Sequence, residues 1–86
     1  MIIYTKHALL KKRILKELGW DISKKLIEKT INRPVRVDKD VGKIEKVFIA
    51  NYLVNEKHVL RVVYKKVKSS AVVITFYVSR RERYEI

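Results

Sequence analysis

The stretch Ala71-Val72-Val73-Ile74-Thr75-Phe76-Tyr77-Val78 constrains this chain more than any other. Consecutive apolar, β-branched or aromatic residues lie between Ser69-Ser70 and Ser79-Arg80-Arg81, and that length and composition predict a strand buried on both faces. β-Branched side chains lose rotamer freedom in a helix, and a helix of this length would carry charge along one side. The stretch therefore reads as the central strand of a sheet. Alternation would put Val72, Ile74, Phe76 and Val78 on one face and Ala71, Val73, Thr75 and Tyr77 on the other. The strand runs directly into Arg80, Arg81, Arg83 and Tyr84, which sets a cationic and aromatic cluster at the exit of the stiffest element.

The elements before it follow from patterning. Met1-Ile2-Ile3-Tyr4 is a short β-prone start, and Thr5 suits the cap of a following helix. From Lys6 to Leu18 the apolar positions Leu10, Ile14 and Leu18 recur every four residues, joined by Leu9 and Leu15. Lys11, Lys12, Arg13 and Lys16 take the remaining surface, so this is an amphipathic and strongly basic helix. Gly19 suits a left-handed closing residue, with Trp20 as an apolar plate beside it. Asp21 or Ser23 can cap a second helix to about Ile31, with Ile22, Leu26, Ile27 and Ile31 on its inner face and Arg33-Pro34 as its stop. Val35 to Val37 reads as a short strand, Asp38 to Lys43 as a loop, and Ile44 to Val54 as a long strand. Asn55 to Lys57 makes a hairpin turn and His58 to Lys65 its return strand, before a turn over 66–70. The expected class is α+β: a short N-terminal strand and two amphipathic helices packed on one face of an antiparallel sheet whose last three strands form a meander. The other face is then free for a ligand. If Ile2 to Tyr4 pairs in the same sheet as Ala71 to Val78, the two chain ends that mix Arg, His and Tyr can approach each other.

Eighty-six residues with 48% hydrophobic content fit one domain spanning 1–86 with one modest core. With no Cys and only two His, neither a disulfide framework nor a His/Cys metal cluster is expected. No apolar run approaches about 18 residues, and Lys6 and His7 come too early for a signal-peptide core, so a cytoplasmic protein without membrane association is expected. The balance of 21 Lys plus Arg against 9 Asp plus Glu, net +12, calls for a polyanionic or acidic partner, nucleic acid first. A Lys-rich chain without Gln or Cys also fits the surface chemistry of a thermophile protein.

His7, with an ordinary pKa near 6.5, is the side chain best placed for general acid–base work at neutral pH, although a single His at a helix start is more often a surface residue. His58, at a hairpin corner, reads as structural. Tyr52, Tyr64 and Tyr77 suit half-buried strand positions with the hydroxyl at the edge, the ordinary alternative to base stacking. Two glycines cannot build a phosphate-binding loop, and the acids are scattered, so NTP hydrolysis is not expected.

The pattern Tyr4-Thr5-Lys6-His7-Ala8, Arg13, Leu18-Gly19-Trp20-Asp21-Ile22, Arg33-Pro34, Leu60-Arg61-Val62-Val63-Tyr64, Val73-Ile74-Thr75-Phe76-Tyr77 and Arg83-Tyr84 spans nearly the whole chain. It resembles a small prokaryotic family with an N-terminal His-Ala helix and a late valine-rich strand, similar to the RelE, ParE and BrnT toxins of toxin–antitoxin modules. The resemblance implies the same two-helix α+β fold, an acidic antitoxin-like protein partner and a metal-independent, cofactor-free endoribonuclease acting on RNA. In that reading His7, Arg13, Arg81 and Tyr84 are catalytic, and Lys11, Lys12, Lys16, Arg80, Arg83, Tyr64 and Tyr77 bind the nucleic acid. ParE-like members inhibit gyrase without cutting RNA, so the alternative is a non-catalytic basic module that binds nucleic acid or protein. A third reading is a scaffold domain whose charge is surface chemistry alone.

Overall fold

The computed structural model describes residues 1–40 and 47–86. Its elements are β1 (Ile2–Tyr4), α1 (Lys6–Glu17), α2 (Lys24–Asn32), β2 (Arg36–Asp40), β3 (Val47–Leu53), β4 (His58–Val67), β5 (Ser70–Arg80) and a 3-10 turn over Arg81–Tyr84. The class is α+β, with one five-stranded sheet in the order β1-β5-β4-β3-β2. Successive strands from β2 to β5 pair antiparallel, so the last three form the meander that their tight connections require. β1 pairs with β5 as anticipated, Ile2 opposite Ala71 and Tyr4 opposite Val73, but in parallel. The sheet is therefore mixed, and the middle position falls to β4, with β5 interior beside it.

The helix ends are closed by the residues their chemistry selects. Thr5 and Ser23 have extended backbones and accept from the N–H groups of Ala8 and Leu26, each at 3.1 Å. Gly19, at φ +94°, lets its own N–H reach the Lys16 carbonyl at 3.0 Å and the Trp20 N–H reach that of Leu15 at 2.8 Å. That paired closure needs a left-handed residue, which glycine adopts without a Cβ clash.

The main core joins Ala8 and Leu15 of α1, Ile22, Ile27 of α2, Leu60 and Val62 of β4, and Val73 and Phe76 of β5. Each large side chain fully buried there contributes about 1.5–3 kcal/mol. Because Leu60 and Val62 share this cluster with both helices, strand alternation turns Arg61 to the opposite face. Val73 and Phe76 are three apart yet share it too. The register explains this: Val63 faces Thr75 while Tyr64 faces Val73, so Ile74 is an inserted residue that inverts the parity of β5. Strict alternation along 71–78 thus fails at a bulge.

Thr5 secures that bulge. Its hydroxyl donates to the Ile74 carbonyl at 2.9 Å and its N–H to that of Val73 at 3.1 Å, while the same hydroxyl oxygen caps α1. One side chain links strand, bulge and helix start. Thr5→Ala should cost about 1–3 kcal/mol in chemical denaturation and Thr5→Ser well under half of that. An Ala variant as stable as the parent would show that water replaces both bonds.

Two further expectations change. In α1 the row Leu10, Ile14, Leu18 does not face the core; Ala8 and Leu15, seven apart, do, and the row stays exposed. Periodicity finds an apolar stripe but does not say what covers it. β2 continues through Asp38-Lys39-Asp40, read from sequence as loop, because Asp38 points to the face without helices and finds cationic partners there. The glycine-bearing part of the expected loop, Val41 to Lys43, and the expected strand start, Ile44 to Lys46, lie outside the described residues.

Candidate functional site on the face without helices

On the uncovered face Arg61 stands at the centre of a polar cluster, its side chain 6% exposed. A guanidinium this deep needs a counter-charge, since desolvating an unpaired ion costs several kcal/mol. Asp38 supplies it from β2, with Oδ2 3.4 Å from Arg61 Nη2, and the same carboxylate serves Arg36, whose Nε lies 3.0 Å from Oδ1. The Arg36 Nε contact is an ion pair without hydrogen-bond geometry, and Arg36 Nη2 donates to Oδ2 at 3.3 Å. Asn51, fully buried, donates from Nδ2 to Asp38 Oδ2 at 3.1 Å and to the Arg36 carbonyl at 3.0 Å. Burial works to raise the Asp38 pKa; the Asn51 and Arg36 hydrogen bonds and the charges of Arg36 and Arg61 outweigh it, and the net shift is down. Two cations against one anion leave the cluster positive. Arg61 Nε and Nη1 are buried without a hydrogen-bond partner among the described residues.

The chain's last turn closes over this charge. The Tyr84 ring lies 3.6 Å from the Arg61 guanidinium carbon, and Tyr77 sits farther off at 5.8 Å. Such a desolvated cation–π pair is worth about 2 kcal/mol. The Tyr84 carbonyl accepts from Arg36 Nη1 at 2.6 Å, tying the turn to β2. Burial opposes ionisation of the Tyr84 phenol, but hydrogen bonds from Ser79 and Tyr77 and the charges of Arg61 and Arg83 prevail, and its pKa is lowered. Tyr77 moves the other way: burial and its hydrogen bond to Tyr84 raise it despite the Arg61 charge. Two neighbouring phenols are thus driven apart, one toward phenolate and one toward a persistent donor.

The sequence candidates divide between two faces. Tyr77 and Tyr84 meet at this cluster, with Arg83 close enough to act on Tyr84. Arg80, exposed at the end of β5, and Arg81 line an adjoining cleft of about 390 Å³ with Glu56, Lys57, Glu82 and Ile86. Arg81 is occupied: Nε donates to the Ile86 main-chain oxygen at 2.7 Å and Nη1 to the Glu56 carbonyl at 3.3 Å, so it braces the turn against the hairpin. His7, Lys11, Lys12, Arg13 and Lys16 are on α1, behind the sheet. Trp20, beyond the far end of α1, meets His58 at 5.0 Å, and His58 pairs with Arg80. His7 is therefore separated from the Arg80 end by about 15 Å of helix, lies on the other layer, and does not join the cluster. Tyr64, 4% exposed and stacked on Phe48 at 5.6 Å, is enclosed on the helix side where no base can reach it. His58 is structural, its Nδ1 3.1 Å from Asn55 Oδ1.

Sequence reasoning passed over Arg36, Asp38, Asn51 and Arg61 as site residues. For Arg61 a signal exists, a single cation inside the apolar run Val59 to Val63 of a central strand. Asp38 and Asn51 carry none, since their partners come from other strands. Among the described residues no three His, Asp or Glu side chains are grouped to hold a metal ion, and no helix is long and apolar enough to cross a membrane. Compared with protein-family models, curated proteins and solved structures, the chain matches none.

Proposed function

We propose that the chain is a RelE/BrnT-like toxin acting on RNA as a metal-independent endoribonuclease, with Tyr84 as the proton acceptor. The observation that carries this reading is the Tyr84 phenol, pushed toward phenolate by Arg61, Ser79 and Tyr77 on the face the helices leave uncovered. Tyr84 takes the proton from a ribose 2′-hydroxyl, whose oxygen attacks the adjacent phosphorus. The P–O5′ bond breaks, leaving a 2′,3′-cyclic phosphate, and the 5′ oxygen takes a proton from solvent. Arg83, exposed and beside Tyr84, holds the phosphate, while Arg61 acts through the Tyr84 ring and never touches substrate. The family resemblance supports the same reaction.

The purified protein should cut cellular RNA in excess chelator and leave cyclic-phosphate ends. Intact RNA under those conditions removes the enzyme reading. A non-catalytic binding module is the second reading, favoured by the net charge of +12 and by the separation of His7 from the Arg61–Tyr84 cluster. That reading expects binding that weakens steeply with salt and no turnover.

A further inference from the structure

The cleft between the hairpin at Glu56-Lys57 and the last turn is lined by side chains that the Tyr84 reaction does not use. Its volume of about 390 Å³ lies near the lower end of ligand pockets, about 300–1,000 Å³, which is room for one flat ring system and not for a folded peptide. Arg81 lines the cleft and is already immobilised, with Nε donating to the Ile86 main-chain oxygen at 2.7 Å and Nη1 to the Glu56 carbonyl at 3.3 Å. These two bonds set the plane of its guanidinium, and such a plane is a surface on which a nucleobase stacks. The half-buried Ile86 adds an apolar contact beside it. The remaining lining residues, Glu56, Lys57, Arg80 and Glu82, are exposed, and among the described residues none of their side chains is engaged in an ion pair or a hydrogen bond. Three cations and two carboxylates thus share one cleft. A bare phosphate there would meet the carboxylates, and a bare cation would meet the arginines. A neutral ring that carries donors and acceptors side by side satisfies both signs.

From the fixed Arg81 plane and the unpaired charges of both signs around it, we infer that this cleft is a guanine subsite. Guanine stacks on Arg81, a glutamate of the cleft accepts in parallel from its N1–H and 2-amino groups, and Lys57 and Arg80 donate to O6 and N7. Adenine, cytosine and uracil each offer a carboxylate one donor group only, so the mixed charge selects against them. As part of a catalytic site the subsite rests on the Tyr84 reading, but its recognition chemistry does not. Arg81 opens the 3-10 turn that Tyr84 closes, a rise of about 6 Å, so a base in the cleft belongs to a nucleotide adjoining the scissile phosphate and cleavage falls beside guanine.

The test uses the whole chain and four fluorescent 2′-deoxy trinucleotides that differ only in a central guanine, adenine, cytosine or thymine. They lack the attacking hydroxyl, so binding is read without cleavage, and their equal charge makes the phosphate contribution common to all four. Fluorescence anisotropy should show the guanine strand bound about tenfold tighter than the others. Hypoxanthine in its place, which lacks the 2-amino group, should lose most of that preference. Glu56→Gln or Glu82→Gln should abolish the preference with an unchanged thermal midpoint, since both side chains are exposed. Equal binding of the four strands overturns the assignment, and so does a full preference in both glutamine variants. A preference for guanosine monophosphate over adenosine monophosphate in calorimetry, with none among the strands, assigns the cleft to a free nucleotide and overturns its place beside Tyr84. RNA cut without regard to guanine removes the subsite and leaves the Tyr84 reaction standing. Guanine-selective binding by a protein that leaves RNA intact removes the reaction and leaves the guanine site.

Discussion

Asp38→Ala should destabilise the fold by about 2–3 kcal/mol, with the damage centred on a residue it leaves behind. Arg61 is 6% exposed and Asp38 is the carboxylate that answers it, so truncation strands a buried guanidinium and removes an acceptor from Asn51. Breaking a buried pair costs about 3–5 kcal/mol; the 33% exposure of Asp38 brings the estimate below that range. The partner substitution should reverse most of the loss. Asp38→Ala combined with Arg61→Met removes both charges and fills the space with an apolar side chain, and buried ion pairs replaced in this way are often neutral. Acid should reproduce the single variant. The pKa of Asp38 is depressed in the folded chain, so its contribution is present above the unfolded value near 3.9 and is lost as pH falls through the lower folded value. Stability of the parent should therefore fall below about pH 4, and Asp38→Ala should flatten that limb. Urea titrations across pH decide the matter: a cost under about 0.5 kcal/mol would make the cluster an ordinary solvated pair.

The sheet and its helices were legible because their signals are local or depend on few partners. The apolar block of β5, the caps Thr5 and Ser23, Gly19 and the Asn55 turn each act within a few residues. The pairing of β1 with β5 was anticipated too, although the two end clusters whose meeting prompted it, His7 at one end and Arg80 to Tyr84 at the other, do not meet. Its parallel sense, and the Ile74 bulge, depend on how Thr5 meets Val73 and Ile74 across the sheet, which no short window contains. The cluster was harder still. Arg36, Asp38, Asn51, Arg61 and Tyr84 come from four strands or turns and are united by pairings such as Asn51 with Arg61 and Arg36 with Asn51. A charged residue in a strand looks like a break in the apolar pattern until its counter-ion is known. His7 drew notice for its residue type, yet it lies behind the sheet, and the proton acceptor we propose, Tyr84, is distinguished only by surroundings that the fold assembles.

Tyr84→Phe should lower RNA cleavage by about 10²-fold or more while leaving the fold and RNA binding intact. Phenylalanine keeps the ring on Arg61, and the Arg36 bond goes to the main chain of residue 84, so the turn retains its ties. What disappears is the oxygen that accepts from Ser79 and Tyr77 and, in the reaction we propose, takes the 2′-hydroxyl proton. The pH profile distinguishes this loss from a packing defect. A proton acceptor works as phenolate, so the parent rate should rise with pH through the Tyr84 value, which lies below that of an ordinary tyrosine near 10. Ser79→Ala removes one donor to the phenolate and should move that limb to higher pH with little change in the plateau. Tyr84→Phe should have no such limb. Single-turnover cleavage of a short RNA with one cut site, followed across pH in chelator, gives all three readings. If Tyr84→Phe cuts at the parent rate, or if the limb stays in place without Ser79, Tyr84 is a packing residue over a buried arginine and the proton acceptor lies elsewhere.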